Sequence, residues 1–433
     1  LYSLYKALTA IRLADRLEEI LGKPVAPLYW IASEDHDWPE VDHVDLVDVE
    51  NEVRRIRLPD GAGEGGRPIF RIPLHEELDG AVGEFVDALP DSDFAAPFVA
   101  LLQEAYGNGA TLNGGFRDVL KALLAPHGLC FVDAADPALK ALSRGVMTRE
   151  VERASDHEAV LAKTAAELES QELGVQVPIL PGGINLFVEG PDGVRERLYR
   201  SEDGFTLRHS GATFSLDELR ALIQDDPSRV SPNVLLRPVV ENTVFPTVGY
   251  VAGPGEMAYY AQLREFFRAH EIEMPVIYPR HGAVLVEPKI RKVLGKFSLE
   301  LSSLDQPFHE LAGEIARAEE PEDVKRILGQ FRGAVGSAAG ELTQAAREID
   351  PTLKGPIGQM RGAAFQLIAE VEKKILLAIK RENEIALGQV EKAQHHLFPH
   401  GKPQERVMNV FYYLTRYGDA LIPALMDRFT IDL

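Results

Sequence analysis

The chain has 433 residues and carries 46 Lys and Arg against 67 Asp and Glu, which gives a formal net charge of −21. This acidic balance excludes a protein that coats nucleic acid, because binding to phosphates needs a basic footprint. A single cysteine excludes an intramolecular disulfide and a zinc site built from cysteines, and the longest apolar runs are shorter than the ~18 residues that span a bilayer. We expect a cytoplasmic protein of two to three domains, at roughly 150 residues each.

The chain begins at Leu1 within a helical pattern, with neither a methionine nor a capping residue before it. A helix that starts so abruptly predicts further residues upstream in the gene product. The start is therefore expected to be trimmed.

Short apolar runs bounded by Pro, Gly and Asp alternate with helical stretches as far as Glu287. This alternation is typical of an α/β architecture whose strands are covered on both faces. The predicted strands lie at 25–33, 129–133, 234–236, 247–252 and 275–278. Helix starts are predicted at Asp136, which precedes a proline, and at the capping box from Ser215 to Glu218.

Residues 147–226 fit this alternation poorly. A long polar helix comes first, and hairpin-like β material follows from 177 to 208. This segment is predicted to be an insertion into the α/β core.

A different period begins at Val324 and predicts a long helical hairpin. Apolar residues spaced alternately by four and three form an a/d seam, namely Val324, Leu328, Phe331, Val335, Ala338, Leu342, Ala345 and Ile349. Asp350-Pro351 breaks this helix, and a second helix with Ile357, Met360, Ala364, Ile368, Val371 and Ile375 on one face runs to about Gln394. The hairpin would be roughly 50 to 60 Å long at ~1.5 Å per residue. Glycines at 333, 336 and 340 would allow a close approach of helices. A two-helix piece of an ordinary bundle is the alternative.

Further apolar residues of the second helix lie off this narrow seam and would need cover, namely Leu367, Leu376 and Ile379. They predict a homodimer formed through the hairpins.

These patterns divide the chain into three parts. The α/β core is assigned to 1–297 with the insertion at 147–226, the antiparallel coiled-coil hairpin to 298–397, and a C-terminal helical segment that returns to the core to 398–433.

The densest group of polar side chains follows the first predicted strand, at residues 34–43 (EDHDWPEVDH). Ligands of open α/β sheets bind beyond the carboxyl ends of the strands, where this group would lie. A solvated acidic loop is one alternative, although Trp38 beside two histidines has little use there. A zinc or manganese site is another, and its ligands would be His36, Asp37, Asp42 and His43.

A second polar group comprises 236–242 (LRPVVEN) and 246–256 (PTVGYVAGPGE). Its end is predicted to be a strand, a Gly-Pro-Gly turn and a helix whose first turn carries Glu256. Backbone N–H groups at such a turn can hold a phosphate or a carboxylate, although a plain helix cap is the commoner role. His281, beside Arg280, is a further candidate substrate contact.

Two other features carry no site in this interpretation. Cys130 lies in the apolar run LCFV and is predicted to be buried in the core. The glycine-rich stretch 61–66 is predicted to be a flexible loop, because no helical pattern follows it.

Together the two polar groups resemble the family of bacillithiol biosynthesis cysteine-adding enzymes. The resemblance rests on 30–37 (WIASEDHD) with Asp42-His43, and on 236–238 (LRP) with 254–263 (PGEMAYYAQL). It extends over the first helix, the hairpin and the terminal helix, so it covers nearly the whole chain.

The resemblance implies a ligase that joins L-cysteine to the amine of glucosaminyl-malate and so forms bacillithiol. It also implies a Rossmann-type core with helical and β insertions, and a coiled coil that forms a homodimer. Because the family's core is similar to class I aminoacyl-tRNA synthetases, ATP or ADP is expected to activate the cysteine carboxyl group. Mg²⁺ would accompany the nucleotide, and no other metal is expected in the site. The chain lacks the His-x-Gly-His and Lys-Met-Ser-Lys-Ser signatures, and neither nucleic acid nor a membrane is an expected partner.

The residues and the resemblance together give the expected site. Its catalytic residues are Glu34, His36, Asp37 and His43. Its substrate-binding residues are Asp35, Trp38, Asp42, Arg237, Tyr250, Gly253, Glu256, Tyr259, Gln262 and Arg280. The carboxylates suit an ammonium or a sugar hydroxyl, Arg237 suits a carboxylate, and either His36 or His43 would accept a proton. Residues 34–37 are expected to face Arg237 and the glycine turn, because the predicted strands at 25–33 and 247–252 would be neighbours in a doubly wound core.

The chain departs from the family pattern in three places. A Gly-Gln-Gln motif and the first core strand are expected upstream of Leu1. Glu241-Asn242 stands where the family more often has Gln-Asp, and His281-Gly282-Ala283 replaces a run with Ser and Thr. A metal-dependent hydrolase that uses the His/Asp group and a non-catalytic coiled-coil scaffold stay open as alternatives.

Overall fold

A computed structural model describes residues 1–63, 65–74, 76–107 and 109–433. The helices of these residues are α1 (Tyr2–Leu21), α2 (Trp38–Val41), α3 (Glu76–Ala88), α4 (Ala95–Tyr106), α5 (Leu112–Leu124), α6 (Pro137–Glu152), α7 (Ala154–Ser170), α8 (Leu216–Asp225), α9 (Arg237–Val244), α10 (Pro254–Tyr260), α11 (Arg264–Ala269), α12 (Pro288–Phe297), α13 (Phe308–Ala318), α14 (Glu322–Arg347), α15 (Lys354–Glu382), α16 (Glu384–Leu397), α17 (Gln404–Val407), α18 (Phe411–Tyr417) and α19 (Leu421–Arg428). The strands are β1 (Leu28–Ile31), β2 (His43–Val47), β3 (Val53–Arg57), β4 (Cys130–Asp133), β5 (Gly183–Glu189), β6 (Arg195–Ser201), β7 (Gly204–Leu207), β8 (Thr213–Phe214), β9 (Val230–Pro232), β10 (Gly249–Ala252) and β11 (Val276–Pro279).

The chain divides into two compact units. The first unit comprises Leu1–Val49, Arg54–Ala283 and Met408–Leu433, and the second comprises Glu50–Val53 and Val284–Val407. The α/β elements and the last two helices therefore belong to the first unit, and the hairpin belongs to the second. Among the described helices, none combines the length and the apolar character that crossing a membrane requires.

Two pairs of parallel strands form the Rossmann-like part of the first unit. β1 pairs with β4 from Leu28 opposite Cys130, and β10 pairs with β11 from Gly249 opposite Val276. Four of the five predicted strands are thus confirmed. Within the described residues the two pairs form separate sheets, so the expectation that β1 and β10 are neighbours in one sheet is wrong.

The strand predicted at 234–236 is wrong. Strand β9 ends at Pro232, and the Asn233 side chain then accepts hydrogen bonds from the N–H groups of Leu235 and Leu236, both at 3.0 Å. These bonds turn the chain into α9, where Pro238 occupies the first turn. An apolar run of three residues cannot distinguish a buried strand from such a turn.

Cys130 is also placed wrongly by the sequence prediction. It begins β4, but its side chain is exposed and not part of the core. Cys130 is the first residue of the strand, and the three residues after it, Phe131 to Asp133, are half-buried.

The insertion supplies a sheet of its own. Its strands are antiparallel in the order β8-β7-β6-β5-β9, and the predicted hairpin material is confirmed. The predicted long polar helix is two helices, α6 and α7, which meet at Arg153. An apolar core that includes Met147, Leu186 and Phe266 joins this sheet to α6, α7 and α11.

The hairpin of the second unit consists of α14 and α15. Asp350 caps the turn between them by accepting a hydrogen bond of 2.8 Å from the Thr352 N–H, as the Asp-Pro break predicts. Ala346 packs near Ile357, and Arg332 pairs with Glu372, so the helices are antiparallel.

The predicted a/d seam is wrong in phase. Ala339 and Ala346 face the inside of the hairpin, one residue beyond the predicted Ala338 and Ala345. The larger seam residues are exposed instead: Phe331 by 59%, Leu342 by 47% and Ile349 by 83%. A Cβ atom added at any of the three seam glycines would meet nothing within 4 Å, so close helix approach does not explain them.

Candidate functional site

The carboxyl ends of β1 and β4 hold the start of the first polar group. The Ser33 hydroxyl donates to the Asp133 carboxylate, and the Ala135 N–H donates to the same carboxylate at 2.9 Å. The Phe70 N–H donates to the Ser33 carbonyl at 3.2 Å. The residues that follow Ser33 are therefore fixed at the carboxyl edge of this pair of strands, as α/β sheets place their ligand sites.

Glu34 is buried against a lysine from the insertion. Its carboxylate forms an ion pair with Lys140 of α6, whose ammonium also donates to the Val230 carbonyl at 2.7 Å. Burial and the nearby charge of Arg195 lower the pKa of Lys140 to about 7.

His36 is held by Arg195 of β6. One guanidinium nitrogen of Arg195 lies 2.7 Å from the His36 Nδ1 atom, and the other nitrogens donate to the Ser231 hydroxyl at 2.8 Å and to the Pro232 carbonyl at 3.0 Å. The Arg195 guanidinium also lies 3.9 Å from the centre of the Phe187 ring, which is 5.5 Å from the His36 ring. Burial lowers the pKa of Arg195 to about 10, and the charge of Arg237 adds to this effect.

This contact decides the tautomer of His36. Arginine has no acceptor atom, so the His36 Nδ1 atom must accept the hydrogen bond. In the neutral ring the proton is then on Nε2. His36 therefore presents a hydrogen-bond donor to the site.

Asp35 and Asp37 flank His36 and differ in their surroundings. Burial opposes ionisation of Asp35, but the charge of Arg195 and a hydrogen bond of 2.7 Å from the His36 backbone N–H outweigh it and hold the pKa of Asp35 below its usual range. Asp37 is exposed at the start of α2. Both carboxylates can thus meet a cationic group that arrives from solvent.

A cavity of about 400 Å³ opens beside these residues. It is lined by His36, Trp38, Pro39, Asp42, Arg57, Leu58, Pro59, Asp60, Gly61, Gly63, Gly65 and Gly66. This volume lies in the range of small-molecule sites, roughly 300 to 1,000 Å³. A Cβ atom at Gly63 would lie 2.1 Å from the Trp38 ring, so glycine is required where the chain covers that side chain. The four glycines predicted to be a flexible loop therefore form part of the cavity wall.

Asp42 and His43 belong to an ion-pair group at β2 and β3. The His43 Nδ1 atom lies 2.6 Å from Asp42 Oδ1, while Asp42 also pairs with Arg57. Arg55 binds both carboxylate oxygens of Asp45 at 2.8 and 2.9 Å. The Asp42 carboxylate accepts the Nδ1 proton of His43, which leaves the Nε2 atom as the acceptor.

The metal interpretation of this region is not supported. Within the described part of the chain, one group of three His, Cys, Asp or Glu residues has ligand atoms close enough to share an ion, and it lies elsewhere. His36 Nδ1 faces Arg195 and His43 Nδ1 faces Asp42, so both of these nitrogens already have a protein partner.

Arg237 leads the second polar group from the first turn of α9. Its guanidinium lies 3.3 Å from the Tyr259 hydroxyl and 3.4 Å from the Glu241 carboxylate. Burial raises the pKa of Glu241 to about 7, against the opposing charges of Arg237 and Lys6. Since Arg237 also acts on the pKa of Arg195, the two polar groups lie within electrostatic reach of each other.

In the Gly-Pro-Gly turn the Gly253 N–H caps α10, which is the commoner of the two roles considered for this turn. The Gly253 N–H donates to Glu256 Oε2 at 2.8 Å, and Glu256 also binds Lys6 of α1 at 2.7 Å and the Tyr250 hydroxyl at 2.7 Å. Glu256 and Tyr250 are therefore engaged with protein partners. Burial opposes ionisation of Glu256, but the charge of Lys6 outweighs it and lowers the pKa of Glu256.

Gln262 and Arg280 lie outside the first polar group. The Gln262 side chain is fully buried, and its amide binds the backbone N–H and carbonyl of Val177 at 3.0 and 2.9 Å. Arg280 follows β11, where its backbone N–H donates to the Ala252 carbonyl at 2.8 Å. His281 donates its backbone N–H to the Thr9 hydroxyl at 3.1 Å. The structure thus assigns Gln262 to fixing the start of the insertion's β segment.

The sequence analysis missed Lys140, Arg195, Phe187 and Lys6. The first three belong to the region interpreted as an insertion or to the helix that enters it, and no local motif marks them. One signal was available for Lys140: it is a charged residue between apolar neighbours near the start of a well-capped helix.

Comparison with known proteins finds two domain profiles of one family, and together they cover nearly the whole chain. The profile described as "Bacillithiol biosynthesis BshC, N-terminal Rossmann-like domain" matches residues 1–281, and that described as "Bacillithiol biosynthesis BshC, C-terminal coiled-coil domain" matches residues 283–431.

Three relatives carry the name "Putative cysteine ligase BshC". The protein of Symbiobacterium thermophilum is 33% identical over all of this chain and 79% of its own length. That of Chlorobaculum tepidum is 32% identical over 98% of this chain and 77% of its own. That of Salinibacter ruber is 30% identical over all of this chain and 78% of its own.

Proposed function

Because this chain belongs to the BshC family of bacillithiol biosynthesis, we propose that it is a cysteine ligase that joins L-cysteine to the amine of glucosaminyl-malate. The observation that carries this proposal is the arrangement at the carboxyl edge of β1. Ionised carboxylates, an oriented histidine and a cavity of about 400 Å³ lie together there. Such a site can hold two small polar substrates side by side, which lowers the barrier to their reaction by proximity.

Each residue of the site has a role that follows from its contacts. The carboxylates of Asp35 and Asp37 bind the cysteine ammonium or sugar hydroxyls. His36, whose Nδ1 atom is occupied by Arg195, donates from Nε2 to an oxygen that becomes negative as the tetrahedral centre forms. Arg237 binds a substrate carboxylate, of malate or of cysteine.

The proton acceptor is His43 in this proposal. Amide formation requires the sugar amine to lose a proton as its nitrogen bonds to the cysteine carbonyl carbon. His43 Nε2 is the acceptor nitrogen, since Asp42 holds the Nδ1 proton, and Asp42 lines the cavity. The same orientation of a histidine by a carboxylate occurs in other acyl-transfer sites.

In this proposal, hydrogen-bond donors in the cavity wall bind the phosphates of a nucleotide. Arg57 and the backbone N–H groups of Gly61, Gly63, Gly65 and Gly66 would hold the phosphates of ATP or ADP, with Mg²⁺ beside them. The nucleotide would convert the cysteine carboxylate into an activated acyl group with a good leaving group. The protein's own residues would orient that group and exclude water from it.

We also propose that the enzyme is a cytoplasmic homodimer and that the coiled coil forms the interface between its two copies. Large apolar side chains stay exposed along α14, which is unusual for a face in contact with water. A second copy of this hairpin would cover them.

The test measures product formation from cysteine, glucosaminyl-malate and ATP by mass spectrometry. Asp37→Ala is expected to abolish product and to leave the melting temperature within a few degrees, since changes at exposed polar side chains cost about 0.5 kcal/mol or less. His36→Ala is expected to abolish product as well, and to lower the melting temperature further because the buried Arg195 guanidinium loses a partner. His43→Gln should lower kcat by about 100-fold or more because it removes the proton acceptor. His36→Gln should lower kcat by a similar factor because it removes the donor to the oxygen that becomes negative.

The matched controls are His309→Ala and Asp323→Ala, both exposed and in the second unit. They should keep full activity. Full activity in both His36→Ala and Asp37→Ala would reject the assignment of this site. Absence of product from the unaltered protein with ATP, ADP or GTP would favour the non-catalytic scaffold instead.

A further inference from the structure

Three buried side chains in the insertion core form a group that the proposed reaction does not use. Glu150 lies at the end of α6, His157 lies in α7, and His270 follows α11. Their side chains are 1%, 0% and 0% exposed. They lie within the apolar core of the insertion, beside Met147 and Phe266.

The carboxylate of Glu150 faces both histidines with one oxygen. Its Oε2 atom is 2.6 Å from His157 Nδ1 and 3.4 Å from His270 Nε2. The other oxygen, Oε1, accepts hydrogen bonds from the Asn185 backbone N–H at 3.1 Å and from its side-chain amide at 2.9 Å. Asn185 therefore fixes the orientation of the carboxylate and leaves Oε2 for the histidines.

The imidazole nitrogens of this group are poorly satisfied. His157 Nε2, His270 Nδ1 and His270 Nε2 are buried and make no hydrogen bond within the described residues. Leaving such a nitrogen unpaired is destabilising, because on folding it loses its hydrogen bonds to water and gains none in return. The two rings lie 4.2 Å apart between centroids, so they leave no room for apolar side chains between them. A protonated histidine would satisfy Oε2 but not the remaining nitrogens.

We propose that Glu150, His157 and His270 bind one zinc ion in the insertion core. Two imidazoles and one carboxylate are a common zinc ligand set, and metal–ligand bonds of ~2.0 Å in tetrahedral geometry put ligand atoms about 3.3 Å apart. The 3.4 Å separation of Oε2 and His270 Nε2 matches this distance. His157 Nδ1 lies 2.6 Å from Oε2, at hydrogen-bond distance, so these two atoms would move apart by about 0.7 Å when the ion binds. Asn185 acts as the outer partner that metal-bound carboxylates usually have.

The burial of the group assigns the ion a structural role. A ligand set with 0 to 1% exposure gives no access to cysteine or to a sugar. The ion would instead join α6, α7 and the end of α11 at one point. Lys140, which pairs with Glu34, is also on α6, so the ion stabilises the helix that positions this lysine.

The first test uses the unaltered protein. Elemental analysis after purification without added metal should give about one zinc per chain. Unfolding with a chelator and refolding with Co²⁺ should give the visible d–d absorption of a tetrahedral cobalt site, and refolding without metal should lower the melting temperature. Lack of zinc, lack of the cobalt spectrum and an unchanged melting temperature would together overturn the proposal.

The second test uses His157→Gln, His270→Gln and Glu150→Gln, with the exposed His309→Gln as the matched control. Each ligand variant should lower zinc content by about tenfold or more, and the control should keep it. Zinc that stays at full occupancy in all three ligand variants lies elsewhere, and that result would reject this site. Because the cobalt spectrum is recorded on the unaltered chain, a variant that fails to fold does not weaken the test.

Discussion

At the scale of single residues, Glu241 shows how burial acts against a nearby cation. Its carboxylate is 14% exposed and lies 3.4 Å from the Arg237 guanidinium, yet burial raises its pKa from 4.5 to about 7. The folded chain thus binds a proton here that the unfolded chain releases between about pH 4.5 and 7. The stabilisation from this proton is complete below the unfolded pKa and is lost as the pH rises through about 7.

Glu241→Gln should therefore change the pH dependence of stability. Glutamine resembles the protonated carboxyl, so the melting temperature of the variant should rise relative to that of the unaltered chain as the pH goes from 5 to about 8. Calorimetric melts at intervals across this range give the difference. Glu265→Gln, at a carboxylate 48% exposed, is the control and should show a flat difference. A flat difference for Glu241→Gln as well would contradict the raised pKa.

From the sequence alone, either His36 or His43 could be the proton acceptor. In the structure their hydrogen-bond partners distinguish them. Arg195 is 159 residues from His36 along the chain, whereas Asp42 is adjacent to His43. An adjacent carboxylate can be read from the sequence. A partner on a strand of the insertion depends on how the whole first unit packs, and no local pattern predicts it.

At the scale of helices and strands, two glycines in helices have opposite surroundings. Gly115 in α5 is buried, and a Cβ atom there would lie 2.1 Å from the Tyr106 ring at the end of α4. Gly145 in α6 is exposed, and a Cβ atom there would meet nothing within 4 Å.

Alanine at these two positions should therefore have effects of opposite sign. Gly115→Ala should lower the free energy of unfolding by about 1 to 3 kcal/mol, because the added methyl group overpacks the contact between α4 and α5. Gly145→Ala should raise it by up to about 1 kcal/mol, because alanine favours the helix. Denaturant titrations of both variants measure these changes. If Gly145→Ala destabilised the chain as much as Gly115→Ala, the contact with Tyr106 would not be what distinguishes the two positions.

Element prediction from the sequence was good where the signal was local. The capping box at Ser215 is confirmed, with the Glu218 N–H donating to the Ser215 hydroxyl at 3.2 Å, and so is the break at Asp350. It failed at 234–236, where the Asn233 side chain decides between strand and turn. It also failed in the phase of the hairpin, since small alanines at 339 and 346 face inward and the larger apolar residues face outward.

At the scale of the whole molecule, the outward apolar face of the hairpin is the main unexplained surface. Phe331 and Leu342 share one side of α14 at the predicted seam spacing, and Ile349 follows just beyond the end of this helix. On α15, Leu367 is 62% exposed. Leu376 and Ile379, which were also expected to need cover, are half-buried. An intact a/d stripe that the hairpin itself does not bury is typical of a coiled-coil partner surface.

We expect a homodimer that Phe331→Glu with Leu342→Glu converts to a monomer. Four buried charges, two from each copy, would oppose association, while each copy alone keeps them in solvent. Light scattering at micromolar concentration measures the mass. Gln344→Glu, on the other side of α14, is the control and should leave the dimer intact. A monomeric unaltered chain, or a dimer that survives deletion of the hairpin, would reject this interface.

The exposed thiol of Cys130 makes the chain convenient to label. It is the single cysteine among 433 residues, so a maleimide dye would attach at one position without any engineered mutation. Cys130 begins β4 and Asp133 ends it, which separates the dye from the carboxyl edge by about 10 Å of extended strand. A fluorophore there is close enough to respond to events at that edge and far enough to leave it unblocked. Substrate and nucleotide binding can therefore be followed by fluorescence on the native sequence.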